Sequence, residues 1–257
     1  MTLSHKEILL YKLFLSLRAL LFWVVFVPGV ILCTLLLSLS IPLPIKFRMG
    51  ILRLWIPMTL YWLKLTCGLS YEIEGLENIP KTGFIVMSNH SSTWETFVLQ
   101  SFLPPLVWVV KRELLFVPFF GWGLKAMNAI ALKRGTGRQA ITQLIEEGSA
   151  RMQEGRTIMI FPEGTRVPPG EKRPYKAGGA ILAEQTQFPI LPIAHNAGNF
   201  WPRLSWIKWP GKIKVVIGPL IQPEGKKAGQ IIQEVEQWIA PKVEEINDQE
   251  QLARLGH

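Results

Sequence analysis

From Ala19 to Leu39 the chain reads ALLFWVVFVPGVILCTLLLSL, without one charged side chain. The run reaches the roughly 20 residues that an α-helix needs to cross the hydrocarbon core of a bilayer. A stretch this apolar must be covered by lipid or by the rest of the chain. Pro28 and Gly29 interrupt it midway, which fits one kinked spanning helix or two short arms dipping into a single leaflet. It is longer than a usual signal core and no small-residue cleavage site follows, so it is expected to stay attached.

Beyond the run, Lys46, Arg48, Arg53 and Lys64 are set among Ile, Leu, Trp and Tyr. That mixture predicts an interfacial helix with its cations at headgroup level. Residues 1–66 are therefore read as a membrane anchor with interfacial helices, and 67–257 as the working domain. Lys6, Lys12 and Arg18 precede the run, but the downstream cations outweigh them and favour the cytoplasmic side for the domain.

A chain of 257 residues and 29.2 kDa has room for one sizeable domain, hence for one active site. Charged residues make up only 18%, against roughly 25% in an ordinary soluble domain, so part of the surface faces something other than water. The net charge of +9 favours anionic partners: an anionic membrane, an acidic carrier protein or phosphorylated small molecules. Nucleic acid is excluded as a partner, because the cations are spread among apolar strands with no clustered basic helix. Cys33 and Cys67 have no metal or redox spacing and read as structural, and the histidines are scattered. Neither a metal nor a cofactor is expected.

From about Tyr71, short apolar runs alternate with helix-like stretches. YEIEG, GFIVMSNH, LVWVVKR, AIALKR, TIMIFPEG, FPILPIAHN and IKVVIGPLI are strand candidates. The stretches 136–154 and 228–248 carry helical spacing. The pattern predicts an α/β fold, a mixed and largely buried β-sheet flanked by helices, behind the N-terminal hydrophobic segment.

His90 ends one strand candidate, and Ser91, Ser92, Thr93, Trp94 and Glu95 follow before a helix-like TFVLQSF. Within a helix, residues five apart diverge by about 140°, so His90 meets Glu95 only if it lies in the turn and Glu95 in the first helical turn. A carboxylate so placed fixes the imidazole tautomer and makes the histidine a general base. Ser92-x-x-Glu95 also reads as a plain capping box, and the residues alone leave both readings open.

A second candidate lies where TIMIF ends abruptly in Pro162, Glu163, Gly164, Thr165 and Arg166. Free amides around a glycine, a hydroxyl and a guanidinium suit a phosphate, although a solvated turn has the same residues. Lys133, Arg134, Lys172, Arg173 and Lys176 are further candidates for an anionic pocket, with Arg134 first among them. Oxyanion donors are not visible in the sequence, and no Gly-x-Ser-x-Gly elbow is present.

Taken together, NHSSTWE, KRELLFVPFFGWGLKAMNAIALKR, FPEGTR and FPILPIA resemble the four ordered motifs of the glycerolipid acyltransferases, specifically bacterial 1-acyl-sn-glycerol-3-phosphate acyltransferases. The resemblance spans about Tyr71 to Pro219. It implies that His90 is the base, with Glu95 in the place of its acidic partner. It implies that Arg134, Glu163, Gly164, Thr165 and Arg166 bind the phosphate of lysophosphatidic acid, and that Pro192 shapes the site near the acyl donor. The donor would be acyl-CoA or acyl carrier protein, and the location the bacterial inner membrane. The sequence departs from the usual His-x4-Asp pattern by having Glu at 95, which places the reach of the pair in question. Another lysolipid, such as a lyso-ornithine lipid or a different lysophospholipid, is the alternative acceptor, and a non-catalytic membrane-anchored lipid-binding protein is the alternative outside the enzymes. His195, just past the last motif, reads as a structural or rim residue.

Overall fold

The computed structural model describes residues 5–81, 83–133, 135 and 137–247. Two helices lead, α1 (His5–Leu39) and α2 (Ile45–Cys67). The sheet strands are β1 (Leu69–Glu74), β2 (Ile85–Ser88), β3 (Leu106–Lys111), β4 (Ile130–Leu132), β5 (Thr157–Ile160), β6 (Ile190–His195) and β7 (Gly211–Ile217). The other helices are α3 (Glu95–Phe102), α4 (Phe120–Ala126), α5 (Arg138–Gln153), α6 (Gly178–Thr186) and α7 (Ala228–Ile246). All seven strand candidates form strands, and the seven make one sheet in the order β1-β7-β6-β2-β5-β3-β4. From β6 to β4 neighbours run parallel, β7 is antiparallel to β6, and β1 is parallel to β7.

The central strands β2, β5 and β6 are buried throughout because both faces of the sheet are covered there, whereas β1 and β7 alternate apolar with charged residues. Val86, Met159, Leu191 and Ile213 pack against Phe22 of α1, Ile56 and Leu63 of α2 and Val98 of α3. Their neighbours Ile85, Met87, Ile158 and Ile190 face Leu144 of α5, Leu182 of α6 and Ile231 and Val235 of α7. Strand alternation thus splits one sequence run between two cores. Each large side chain so enclosed contributes roughly 1.5–3 kcal/mol.

α1 is one continuous helix with Pro28 inside it, not two arms. Leu15, Ala19, Phe22, Cys33 and Leu37 are buried along one side, so the helix lies on the domain over most of its length. Gly29 permits this closeness, since a Cβ there would come within 3.0 Å of the Trp55 indole nitrogen on α2. Hydrogen bonds fasten the same contact: the Arg18 guanidinium donates to the Thr66 carbonyl, and Trp62 Nε1 to the Leu21 carbonyl at 3.3 Å. The opposite side of α1 exposes Leu13, Leu17, Leu21, Val24, Leu32 and Leu36. The helix is long and apolar enough to cross a membrane, yet only 22% of its most apolar window is buried by the rest of the protein.

On α2, Lys46, Arg53 and Lys64 are exposed. Arg48 is not: it is buried, donating to the carbonyls of Ala126 and Leu43. The open carbonyl end of α4 needs donors, and Arg48 supplies one. Cys33 and Cys67 are free and buried.

Candidate active site

β2 is the middle strand, flanked by β5 and β6, and all three run the same way. Their carboxyl ends therefore open on one edge, the position where parallel sheets commonly hold ligands. His90 follows β2, Phe161 to Arg166 follow β5, and His195 ends β6.

His90 lies in the turn and Glu95 is the first residue of α3, the arrangement the spacing demands. His90 Nδ1 is 2.8 Å from Glu95 Oε1, and the same oxygen accepts the amides of Ser91 at 3.0 Å and Ser92 at 2.8 Å. Glu95 therefore gathers the amides of the preceding turn and orients the imidazole at once. Ser92 completes no box, as its hydroxyl accepts the Trp94 amide and donates to the Trp201 carbonyl. Burial of Glu95 opposes its charge, but in the acid range where the carboxyl titrates and the rings are cationic, the fields of His195 and His90, with the His90 hydrogen bond and the Ser92 amide, outweigh burial and bring it below its usual value. An ionised acceptor at Nδ1 places the proton there and leaves Nε2 with a lone pair.

His90 is held on every side. Its amide donates to Glu163 Oε2 at 2.7 Å, its carbonyl accepts the Val167 amide at 2.7 Å, and its ring stacks on Phe161. These contacts join the His90 turn to the turn after β5.

In that second turn Gly164 has φ of 67°, and its amide bonds to the Phe161 carbonyl. A side chain at 164 would be strained and would also meet Lys176, whose Nζ lies 2.7 Å from the position of the absent Cβ. Thr165 is half-buried in the same turn. Arg166 is half-buried, and its Nε has no hydrogen-bond partner among the described residues. Burial lowers its pKa, the field of Glu95 opposes this, and the nearby Arg203 adds to it; a guanidinium nonetheless stays charged.

Glu163 sits in the same turn. Its carboxylate turns inward to the His90 amide, and burial, with the field of Glu95, pushes its pKa up to about 8 against the pull of that amide. A carboxyl in this place supports the backbone of His90. Pro192 is buried within β6, in register with Met87 of β2, and its carbonyl accepts the Gly218 amide. Arg134 lies outside the described residues. Of the other cations, Lys176 stands over Gly164, while Lys172 pairs with Glu244 of α7.

His195 is fully buried; its Nε2 faces the Asn89 carbonyl at 2.9 Å and its Nδ1 accepts the Ala197 amide. One nitrogen donates and the other accepts, and burial lowers its pKa, so the ring is neutral and structural. Phe161, Trp201 and Arg203 join the site without having been singled out beforehand. Only Phe161 carried a signal, as the first letter of FPEGTR at a strand end.

The Acyltransferase family model matches residues 70–196, which contain both turns. A 1-acyl-sn-glycerol-3-phosphate acyltransferase of Pseudomonas aeruginosa is 40% identical over 220 residues, covering 84% of each chain. The mouse 1-acyl-sn-glycerol-3-phosphate acyltransferase alpha is 31% identical over 182 residues, 69% of this chain and 62% of that one. The crystal structure of the 1-acyl-sn-glycerophosphate acyltransferase PlsC from Thermotoga maritima superposes with a TM-score of 0.75 at 26% identity, covering 90% of this chain and 95% of that one. Similarity of this degree, over this much of both chains, fixes the family: the protein is one of the 1-acyl-sn-glycerol-3-phosphate acyltransferases.

Proposed function

We propose that the protein moves a fatty acyl group from acyl-CoA or acyl carrier protein to the sn-2 hydroxyl of lysophosphatidic acid, giving phosphatidic acid at the cytoplasmic face of a bacterial inner membrane. The observation that carries this reading is the contact of His90 Nδ1 with the buried Glu95 carboxylate, which leaves Nε2 as the base. Nε2 takes the hydroxyl proton as the oxygen attacks the thioester carbonyl. The new C–O bond forms, the tetrahedral intermediate collapses with loss of the C–S bond, and the imidazolium returns its proton to the departing thiolate. Positioned proton transfer of this kind supplies about 10²–10⁴-fold in rate. No covalent acyl-enzyme and no cofactor enters these steps.

Arg166, with Gly164, Thr165 and Lys176 around it, takes the phosphomonoester, whose charge suits a half-buried guanidinium. Arg134 adds to the same charge. Glu163 positions His90, and Pro192 shapes the sheet beside β2. The exposed apolar side of α1 lies in the bilayer, and because the helix is packed along the domain, the protein sits on one leaflet and takes both lipid chains sideways.

The test is transfer of a labelled long-chain acyl group, from each donor in turn, to lysophosphatidic acid and to other lysolipids in detergent micelles. Phosphatidic acid formed by the wild type, with a loss of about 10²-fold or more in folded His90→Ala, is the expected result. Transfer confined to another lysolipid would replace the acceptor and keep the base. Equal rates for wild type and His90→Ala would remove the mechanism.

A further inference from the structure

The segment from Phe200 to Pro210 links the active-site edge of the sheet to β7 and is anchored at both ends. Near its start the Trp201 carbonyl accepts the Ser92 hydroxyl at 2.6 Å, which ties it to the His90 turn. Near its end Lys208 is 1% exposed, with Nζ 3.7 Å from the centre of the Trp23 ring and 4.7 Å from that of Trp201. Lys208 Nζ also donates to the Trp206 carbonyl at 2.8 Å. Trp206 lies nearly parallel to Trp23 of α1, the Trp206 indole donates to the Ser16 carbonyl, and the Trp23 indole donates back to the Trp206 carbonyl. The loop is thus built against the flank of α1.

Its tip is not that of a loop made for water. Leu204 is 90% exposed and Trp206 49%. Leu204 also has φ of 60°, a left-handed conformation in which Gly or Asn is at ease and a leucine is strained. An apolar side chain held out in a strained conformation gains nothing from the rest of the molecule, so its compensation lies outside. On α1, Leu20 and Val27 are exposed on the same stripe as Ser16 and Trp23, so the tip extends the apolar side of that helix. Arg203, exposed beside the tip, lies close enough for its field to act on Arg166.

We propose that the loop 202–206 is a wedge seated in the lipid surface, with Leu204 and Trp206 below the headgroups and Arg203 at the level of their phosphates. A bilayer is the occupant because the tip continues the apolar side of α1, and because a cation beside exposed leucine and tryptophan matches an anionic interface. The wedge sets the depth of the His90 turn through the Ser92 to Trp201 bond, and it places Arg203 where a lysolipid headgroup leaves the membrane on its way to Arg166. The inference rests on the seating of α1 in the bilayer proposed above.

Three variants of the full chain, each with one added cysteine, Leu204→Cys, Leu17→Cys on α1 and Glu224→Cys in the turn before α7, test it. All three sites are exposed, and the native Cys33 and Cys67 are buried. Each is labelled with an environment-sensitive fluorophore and reconstituted into phosphatidylcholine vesicles containing phosphatidylglycerol. Quenching by nitroxide-bearing lipids is compared with quenching by aqueous iodide. The wedge requires that the labels at 204 and 17 be quenched several-fold more by lipid nitroxide than the label at 224, which iodide reaches. A label at 204 that follows 224 while 17 stays lipid-quenched overturns the wedge and leaves the α1 seating intact. Shielding of 204 from both quenchers means cover by protein and overturns it too. If the label at 17 is also iodide-quenched, the membrane seating falls together with the wedge.

Discussion

His90 lies flat on Phe161, with ring centroids 3.9 Å apart and planes within 8°. Phe161 leans in turn on Trp108, at 5.7 Å, so the imidazole rests on an aromatic stack that reaches into the core. The face of a phenyl ring attracts a cation by about 0.5–2 kcal/mol, and His90 becomes a cation only once it has taken the acceptor proton. Phe161→Ala should therefore lower kcat by about 10-fold or somewhat more, with Phe161→Tyr close to wild type. Steady-state rates at saturating donor and acceptor, alongside thermal melts in detergent, check this. Unchanged kcat in the alanine variant would reduce the stack to packing.

Glu95 meets His90, Ser91 and Ser92 with one oxygen, and among the described residues its Oε2 is buried without a hydrogen-bond partner. Glu95→Gln keeps the shape and removes the charge that balances the imidazolium. We expect kcat to fall by about 10²–10⁴-fold while the protein still folds. Glu95→Asp withdraws the carboxylate by one bond of about 1.5 Å, so it can keep the serine amides or the imidazole but not both, and an intermediate loss follows. Assay of both variants over a range of acceptor concentrations separates kcat from KM, and a glutamine variant that turns over like wild type would sink the orienting role.

The central strands β2, β5 and β6 were legible because each is a run buried throughout, and the outer β1 and β7 because charged and apolar residues alternate along them. The meeting of His90 with Glu95 was legible because only a turn before a helix brings residues at that spacing together. The start of helix α6 was hidden at the end of the glycine-containing GEKRPYKAGGA, where glycines resemble loop chemistry. There Gly179 serves packing, since a Cβ would lie 3.0 Å from Met87 Sδ on β2. Arg48 was hidden for another reason: its interfacial neighbours are what composition records, whereas the carbonyl it serves belongs to α4, far along the chain. Glu163 likewise sits among phosphate-binding residue types, and only the fold shows its carboxylate turned to the His90 amide. Trp201 and Arg203 reach the site through a loop whose path no local pattern encodes.

The inward turn of Glu163 has a pH signature. Burial raises its pKa from 4.5 to about 8, so between those values the folded chain holds a proton that the unfolded chain has released. The resulting stability is fully present below the unfolded value and is lost as pH rises through about 8. Glu163→Gln keeps an oxygen for the His90 amide and cannot ionise. Melting temperatures in detergent should therefore fall less steeply for the variant than for wild type across that window, and the two curves should run parallel above it. Ionisation also places a negative charge beside the turn that holds Arg166, so KM for lysophosphatidic acid should rise above about pH 8 in wild type and stay level in the variant. Superimposable pH profiles for stability and for KM would show that the Glu163 carboxyl is charged throughout and that its burial does not govern the site.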